Sequence, residues 1–177
     1  MFFNHFVFGQ TSQDSVSVFE LSLEELMNVE IYSASKRRES NFDAPLSSTV
    51  ITRKEIQRSG VTTIQEALRL VPGVIVREQI NGQFDIHIRG FDYVPPYSTT
   101  PYASNSITLV MIDNRVVFRD FQGGTYWESL PVEINDVERI EVVRGPSSSL
   151  YGPNAVAGVI NFITRRPKEG YSLNADL

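Results

Sequence analysis

Residues 107–112 read ITLVMI, a nearly unbroken apolar run bounded by Ser106 and by Asp113-Asn114. Both alternating faces of this run are apolar. That pattern marks a central strand covered on each side, because a half-buried strand would alternate polar and apolar positions. The run is also far short of the roughly 20 apolar residues that a membrane-spanning helix needs. The chain must therefore supply neighbouring strands and apolar cover for both faces of a sheet.

Further segments read as strands: Ser48–Ile51, Val74–Arg77, Asp85–Arg89, Val116–Phe118, Val137–Val143 and Ala155–Thr164. Asn81-Gly82 suits a turn between the second and third, and Asp113-Asn114 suits a hairpin after the apolar run. Ile140 and Val142 share one face of their strand. Two short helices are predicted between the first strands. Thr52 with Glu55 forms a capping box and Gly60 stops that helix. Thr63 with Glu66 forms a second box, and Ile64, Ala67, Leu68 and Val71 mark the buried stripe that follows. Pro72-Gly73 ends it, since proline cannot extend the hydrogen-bond ladder. Helices and strands mix without regular alternation. The fold class is therefore α+β, a small mixed β-sheet with short helices.

Composition agrees. The chain has 177 residues, 41% of them hydrophobic and 21% charged, as for one domain with a buried core. Sixteen Lys and Arg stand against 21 Asp and Glu, a formal charge of -5, which argues against a general polyanion binder. With no Cys and only His5 and His87, neither a thiolate site nor a multi-histidine metal centre can form. Gly145–Gly152 has the wrong glycine spacing for a phosphate loop, and Pro153-Asn154 follows where Lys and Ser or Thr should stand. There is no Gly-x-Ser-x-Gly elbow. Asp113, Glu138 and Glu141 read as solvent-facing strand positions without a histidine to work with. No catalytic residue, metal or cofactor is assigned.

The N-terminal stretch Met1–Gly9, MFFNHFVFG, lacks the basic start and unbroken apolar core of a signal peptide. It reads as a clipped signal, a cloning scar or a mis-assigned start. Residues 1–28 form an N-terminal extension, in which Ser22 and Glu25 could cap a short helix. Residues 29–44 form a polar linker with Lys36, Arg37 and Arg38 in a row, most simply a solvated segment. Two long connections, Phe91–Ser106 and Arg119–Asp136, interrupt the compact part. Long loops in a small domain are usually functional. Tyr93, Tyr97, Tyr102, Tyr126 and Trp127, with Gln122, make them a candidate ligand surface. The bland alternative is packing against another part of the protein.

Five segments in order carry a resemblance: DAPLSSTVITRKEIQRSG, TTIQEALRLVPGV, IHIRGF, TLVMIDNRVV, and LPVEINDVERIEVVRGPSSSLYGPNAVAGVINFITRRP. Together they resemble the plug domain of TonB-dependent outer-membrane receptors, over roughly Val29–Pro167. The resemblance implies a gate lodged inside a transmembrane β-barrel, for energy-coupled uptake of a scarce nutrient such as a siderophore, a cobalamin or a glycan. Its implied partners are the TonB C-terminal domain, the barrel and the small ligand. In that frame residues 45–167 are the plug, and residues 168–177 begin a first barrel strand. A 22-stranded barrel needs roughly 220 residues in strands alone. The chain is thus expected to be a plug without its barrel, either cut from a receptor or a stand-alone periplasmic interaction module.

The resemblance also implies residue roles. Val29, Glu30, Ile31, Tyr32, Ser33 and Ala34 resemble the TonB box, a short segment suited to strand addition. Asp14–Val18 is a second, less favoured candidate. Arg89 and Arg144 match plug arginines that face acidic residues of the barrel wall, a role suited to the planar guanidinium fork. Gly90, Gly145 and Gly152 are expected in tight turns with positive φ.

Overall fold

The computed structural model describes residues 30–31, 39–40, 47–80, 82–90, 106–117 and 124–166. The elements in chain order are β1 (Glu30–Ile31), β2 (Glu39–Ser40), β3 (Ser47–Thr52), α1 (Arg53–Ser59), α2 (Ile64–Leu68), β4 (Val74–Ile80) and β5 (Gln83–Ile88). Then come β6 (Thr108–Ile112), β7 (Arg115–Val116), β8 (Val137–Arg144), α3 (Ser148–Tyr151) and β9 (Gly158–Thr164). The main sheet has the order β3-β8-β9-β6-β7, and β4-β5 and β1-β2 form two small sheets. β6 pairs with β9 in parallel, whereas the other neighbours in this sheet are antiparallel. The architecture is the small mixed sheet with short helices that the sequence implied.

The apolar run does lie between two covered faces. Val110 joins one core with Ile140, Val142, Ile160 and Phe162, roofed by Ile56, Leu68, Ile86 and Ile88. Leu109 and Met111 face the other way and join Val143, Val159 and Ala155. The centre of the sheet, however, is β9 rather than β6. β9 has neighbours on both sides, while β6 is flanked by the two-residue β7.

Local chemistry explains the boundaries. Thr52 Oγ1 accepts from the Glu55 amide at 3.4 Å, and the Glu55 carboxylate accepts from the Thr52 amide at 2.7 Å. This reciprocal cap is worth about 1 kcal/mol. Gly60 closes α1 in the left-handed region. At α2 the second box is offset from the sequence reading. Thr63 Oγ1 accepts from the Glu66 amide at 3.2 Å, but the Glu66 carboxylate bonds the amide and hydroxyl of Thr62, not Thr63. α2 also ends at Leu68, and single tight turns carry the chain on to Val71. Asp113 and Asn114 both take left-handed φ, the pattern of a two-residue hairpin turn.

Strand limits differ slightly from the pattern reading. β9 starts at Gly158, because Ala155–Ala157 make loop-type bonds to Gly152, Ile107 and Gly145. β5 stops at Ile88, and Arg89 takes a left-handed φ of 56°. Glu141 is a correction to the solvent-facing reading. It is wholly buried on the second face, and Arg139 Nε holds its carboxylate at 2.8 Å. A charge can be buried there only because it is paired.

Gly158 on β9 lies tight against the β8 backbone. A Cβ at this position would sit 2.2 Å from the Val143 carbonyl oxygen and 2.8 Å from Ile88 Cδ1. Backbone cannot yield that distance cheaply. Gly158→Ala should cost about 3 kcal/mol or more in urea unfolding, whereas Gly60→Ala, with open space around it, should cost about 1 kcal/mol for its φ alone. A mild effect at Gly158 would show that the two strands can part.

The Thr62 backbone bond, with the Thr62 hydroxyl bond next, holds the Glu66 carboxyl below the usual glutamate range. A carboxylate depressed in the folded state stabilises above its unfolded pKa, and that contribution is lost as pH falls through the folded value. The stability difference between wild type and Glu66→Gln should therefore be present at neutral pH and vanish on acidification. A difference constant from neutral to acidic pH would refute the cap.

Candidate functional site

β5 and β8 each deliver an arginine to the same corner of the molecule. Arg144 is the last residue of β8, and Arg89 follows the end of β5. The Arg89 amide donates to the Gly73 carbonyl at 2.7 Å, which ties the turn after β5 to the turn before β4. Gly73 lies between the two stems. A Cβ there would be 3.9 Å from Arg144 Cδ and 4.0 Å from Arg89 Cγ. Arg89 Nη1 also lies 3.5 Å from the point a Cβ on Gly145 would occupy. Two cations thus converge over two glycine turns.

The backbone is set for this. A left-handed non-glycine residue is uncommon and costs on the order of 1 kcal/mol. Arg89 adopts that conformation and Gly90 continues it at φ 69°. Gly145 at φ 126° and Gly152 at φ 95° fulfil the turn role expected of them.

Arg144 is held by neutral acceptors. Nη1 donates to the Pro72 carbonyl at 2.8 Å. Nη2 donates to Thr49 Oγ1 at 2.9 Å and to the Ser48 carbonyl at 3.4 Å. Its Nε is buried and makes no hydrogen bond in this structure. Among the described residues, the ion pairs belong to other groups, and neither Arg89 nor Arg144 meets a carboxylate. An arginine pair with spare donors and no acid is chemically an anion acceptor, best matched by a carboxylate fork.

A second polar cluster steadies the strand that leads to Arg89. Asp85 Oδ2 lies 2.8 Å from Arg77 Nη2 and 2.5 Å from His87 Nε2. Asp85 and His87 are buried, and they alternate along β5 with the core residues Ile86 and Ile88. Sequence reading passed over this cluster, because a single histidine two residues from an aspartate on a short strand carries no motif. It also missed Thr49 and Pro72 as partners of Arg144, since 95 and 72 residues separate them.

The other predicted site residues divide sharply. Tyr93, Tyr97, Tyr102 and Gln122 lie outside the described residues, as do Val29, Tyr32, Ser33 and Ala34 and the second box candidate Asp14–Val18. Glu30 and Ile31 are extended and pair antiparallel with Ser40 and Glu39. Tyr126 is half-buried. Trp127 is 2% exposed and packs in the main core, and its carbonyl accepts from Gln65 Nε2 at 3.1 Å. That corrects the reading of Trp127 as an outward contact surface. An indole this large is drawn into the interior by the area it buries.

Comparison with known proteins decides the family. The family model described as TonB-dependent Receptor Plug Domain matches residues 40–159, more than half of the sequence. The chain is a TonB-dependent receptor plug domain. The iron-regulated outer membrane virulence protein of Vibrio cholerae serotype O1 is 33% identical to this plug over 140 residues. That match takes in 76% of the chain and 20% of the relative. The ferripyoverdine receptor of the outer membrane of Pseudomonas aeruginosa, bound to ferripyoverdine, shares the fold at TM-score 0.62. It is 22% identical, and the match covers 78% of this chain and 16% of that one. The ferric yersiniabactin uptake receptor FyuA from Yersinia pestis gives TM-score 0.54 at 25% identity, covering 71% and 18%. The plug thus spans about a fifth of the length of such relatives.

Because Trp127 is a core residue of the plug, Trp127→Ala should destabilise it by about 3–5 kcal/mol. Chemical unfolding measures this directly. A stability within 1 kcal/mol of wild type would return Trp127 to the list of surface contacts.

Proposed function

We propose that this plug gates an outer-membrane receptor for energy-coupled uptake of an iron–siderophore complex. The observation that carries the reading is the arginine pair. Arg89 and Arg144 present cationic donors in one corner with no acid of the described residues to meet them. A surrounding barrel wall bearing carboxylates would complete that corner and hold the plug closed. Breaking one side of such a pair is costly, whereas displacing both arginines together moves the gate as a unit. The siderophore class is favoured over cobalamin or glycan by the relatives, one iron-regulated and one a ferric yersiniabactin uptake receptor.

The energy input enters at the N-terminal side. Val29–Ala34 is the proposed TonB box, and the extended Glu30–Ile31 backbone suits pairing with a strand of the TonB C-terminal domain. That domain would exchange places with the Glu39–Ser40 strand or add beside it. The aromatic loops around Tyr93, Tyr97, Tyr102, Gln122 and Tyr126 remain the proposed plug contribution to the ligand surface, with the barrel supplying the rest.

In the barrel-bearing receptor, Arg89→Ala or Arg144→Ala should leave surface expression intact and raise plug labelling by amine reagents several-fold. A peptide of residues 29–34 should bind the TonB C-terminal domain in titration calorimetry. Unchanged labelling removes the arginine lock, and no binding at high peptide concentration removes the coupling segment.

A further inference from the structure

β3 is the first strand of the main sheet in chain order and also its edge. Its register sets Ser47 opposite Arg144, so the end at which the chain arrives from the N-terminal side lies beside that arginine. Two of the three acceptors of Arg144, the Ser48 carbonyl and Thr49 Oγ1, belong to β3. The third is the Pro72 carbonyl, next to the glycine that Arg89 caps.

We propose that Arg144 is a clasp between β3 and the arginine pair, with Thr49 as the positioning residue that aims its guanidinium. Displacing β3 from its N-terminal end strips Arg144 of two acceptors and frees it to turn away from Arg89. The physical reason is the state left behind. With β3 displaced, a single carbonyl holds the guanidinium, so the place that Ser48 and Thr49 fix for it is lost with the strand. An edge strand with one neighbour opens before strands held on both sides. Tension applied at residues 30–46 therefore reaches the arginine pair first, before β8 or β9 is disturbed. For its consequence in a receptor, the clasp rests on the reading of Arg89 and Arg144 as a lock. Within the chain it stands independently.

The test uses the full 177-residue chain and measures amide hydrogen exchange in β3 with the Arg144 Nε–H resonance. Thr49→Val keeps a β-branched strand former and removes the acceptor. It should raise exchange of the β3 amides about tenfold and shift the Arg144 resonance, leaving β6 and β9 amides at wild-type protection. Thr49→Ser, which restores the hydroxyl, should return both readouts. Arg144→Lys cannot fork and should give the same rise, and the double variant with Thr49→Val should add nothing. Unchanged β3 exchange in folded variants, or simple additivity, overturns the clasp. If Thr49→Val fails to fold, Arg144→Lys alone decides, since β3 exchange either rises or does not. In the barrel-bearing receptor, faster β3 exchange in Thr49→Val with unaltered plug labelling would uphold the clasp and reject the lock.

Discussion

The absence of a side chain at Gly158 lets the β8 backbone and the β4–β5 hairpin meet on β9, and the arginine corner depends on that meeting. β9 has a partner on each side, and its alternate residues enter two different cores. Val143 and Gly158 touch so tightly that no side chain fits between them. This contact draws Ile88 in as well, so the β4–β5 hairpin is seated by the same point. Arg144 and Gly145 follow Val143 directly, and Arg89 follows Ile88. The arginine corner is thus a consequence of core packing. Two charged residues are carried to one place because the strands before them both pack against Gly158.

That placement also explains why the corner can act. Buried charges elsewhere in the domain are paired internally, as Glu141 is with Arg139 and Asp85 with Arg77. Those pairs lie within a strand or a hairpin. Arg144 differs in bonding only neutral acceptors, drawn from β3 and the turn before β4. A cation held this way keeps its field available to an outside anion, while its position depends on a strand at the sheet edge. The proposed lock would therefore use arginines other than those that pair within the fold.

Much of the framework was legible because its signals are local. The Thr52–Glu55 box, the Gly60 stop, the Asp113-Asn114 turn and the alternation of Ile140 and Val142 each depend on residues a few positions apart. Local signals failed where competing neighbours were equivalent or distant. Glu66 could reach Thr62 or Thr63, and only the helix geometry chose the former. Glu141 looked exposed by alternation, but the second face of the sheet is covered. Trp127 looked like a loop contact, yet Gln65 and the core residues around it come from far away in sequence.

By itself the sequence determined the class of fold, the order of its segments and the residue types at the arginine corner. Hydrophobic periodicity, caps and turn residues act over a few positions, and ordered motifs identify a family. Only the tertiary structure decided that β9 lies at the centre, that Arg89 bends into the left-handed region over Gly73, and that Thr49 holds Arg144 across 95 residues. Those facts depend on which distant backbones approach one another. That approach is set by the mutual packing of two cores, which no single stretch of chain encodes.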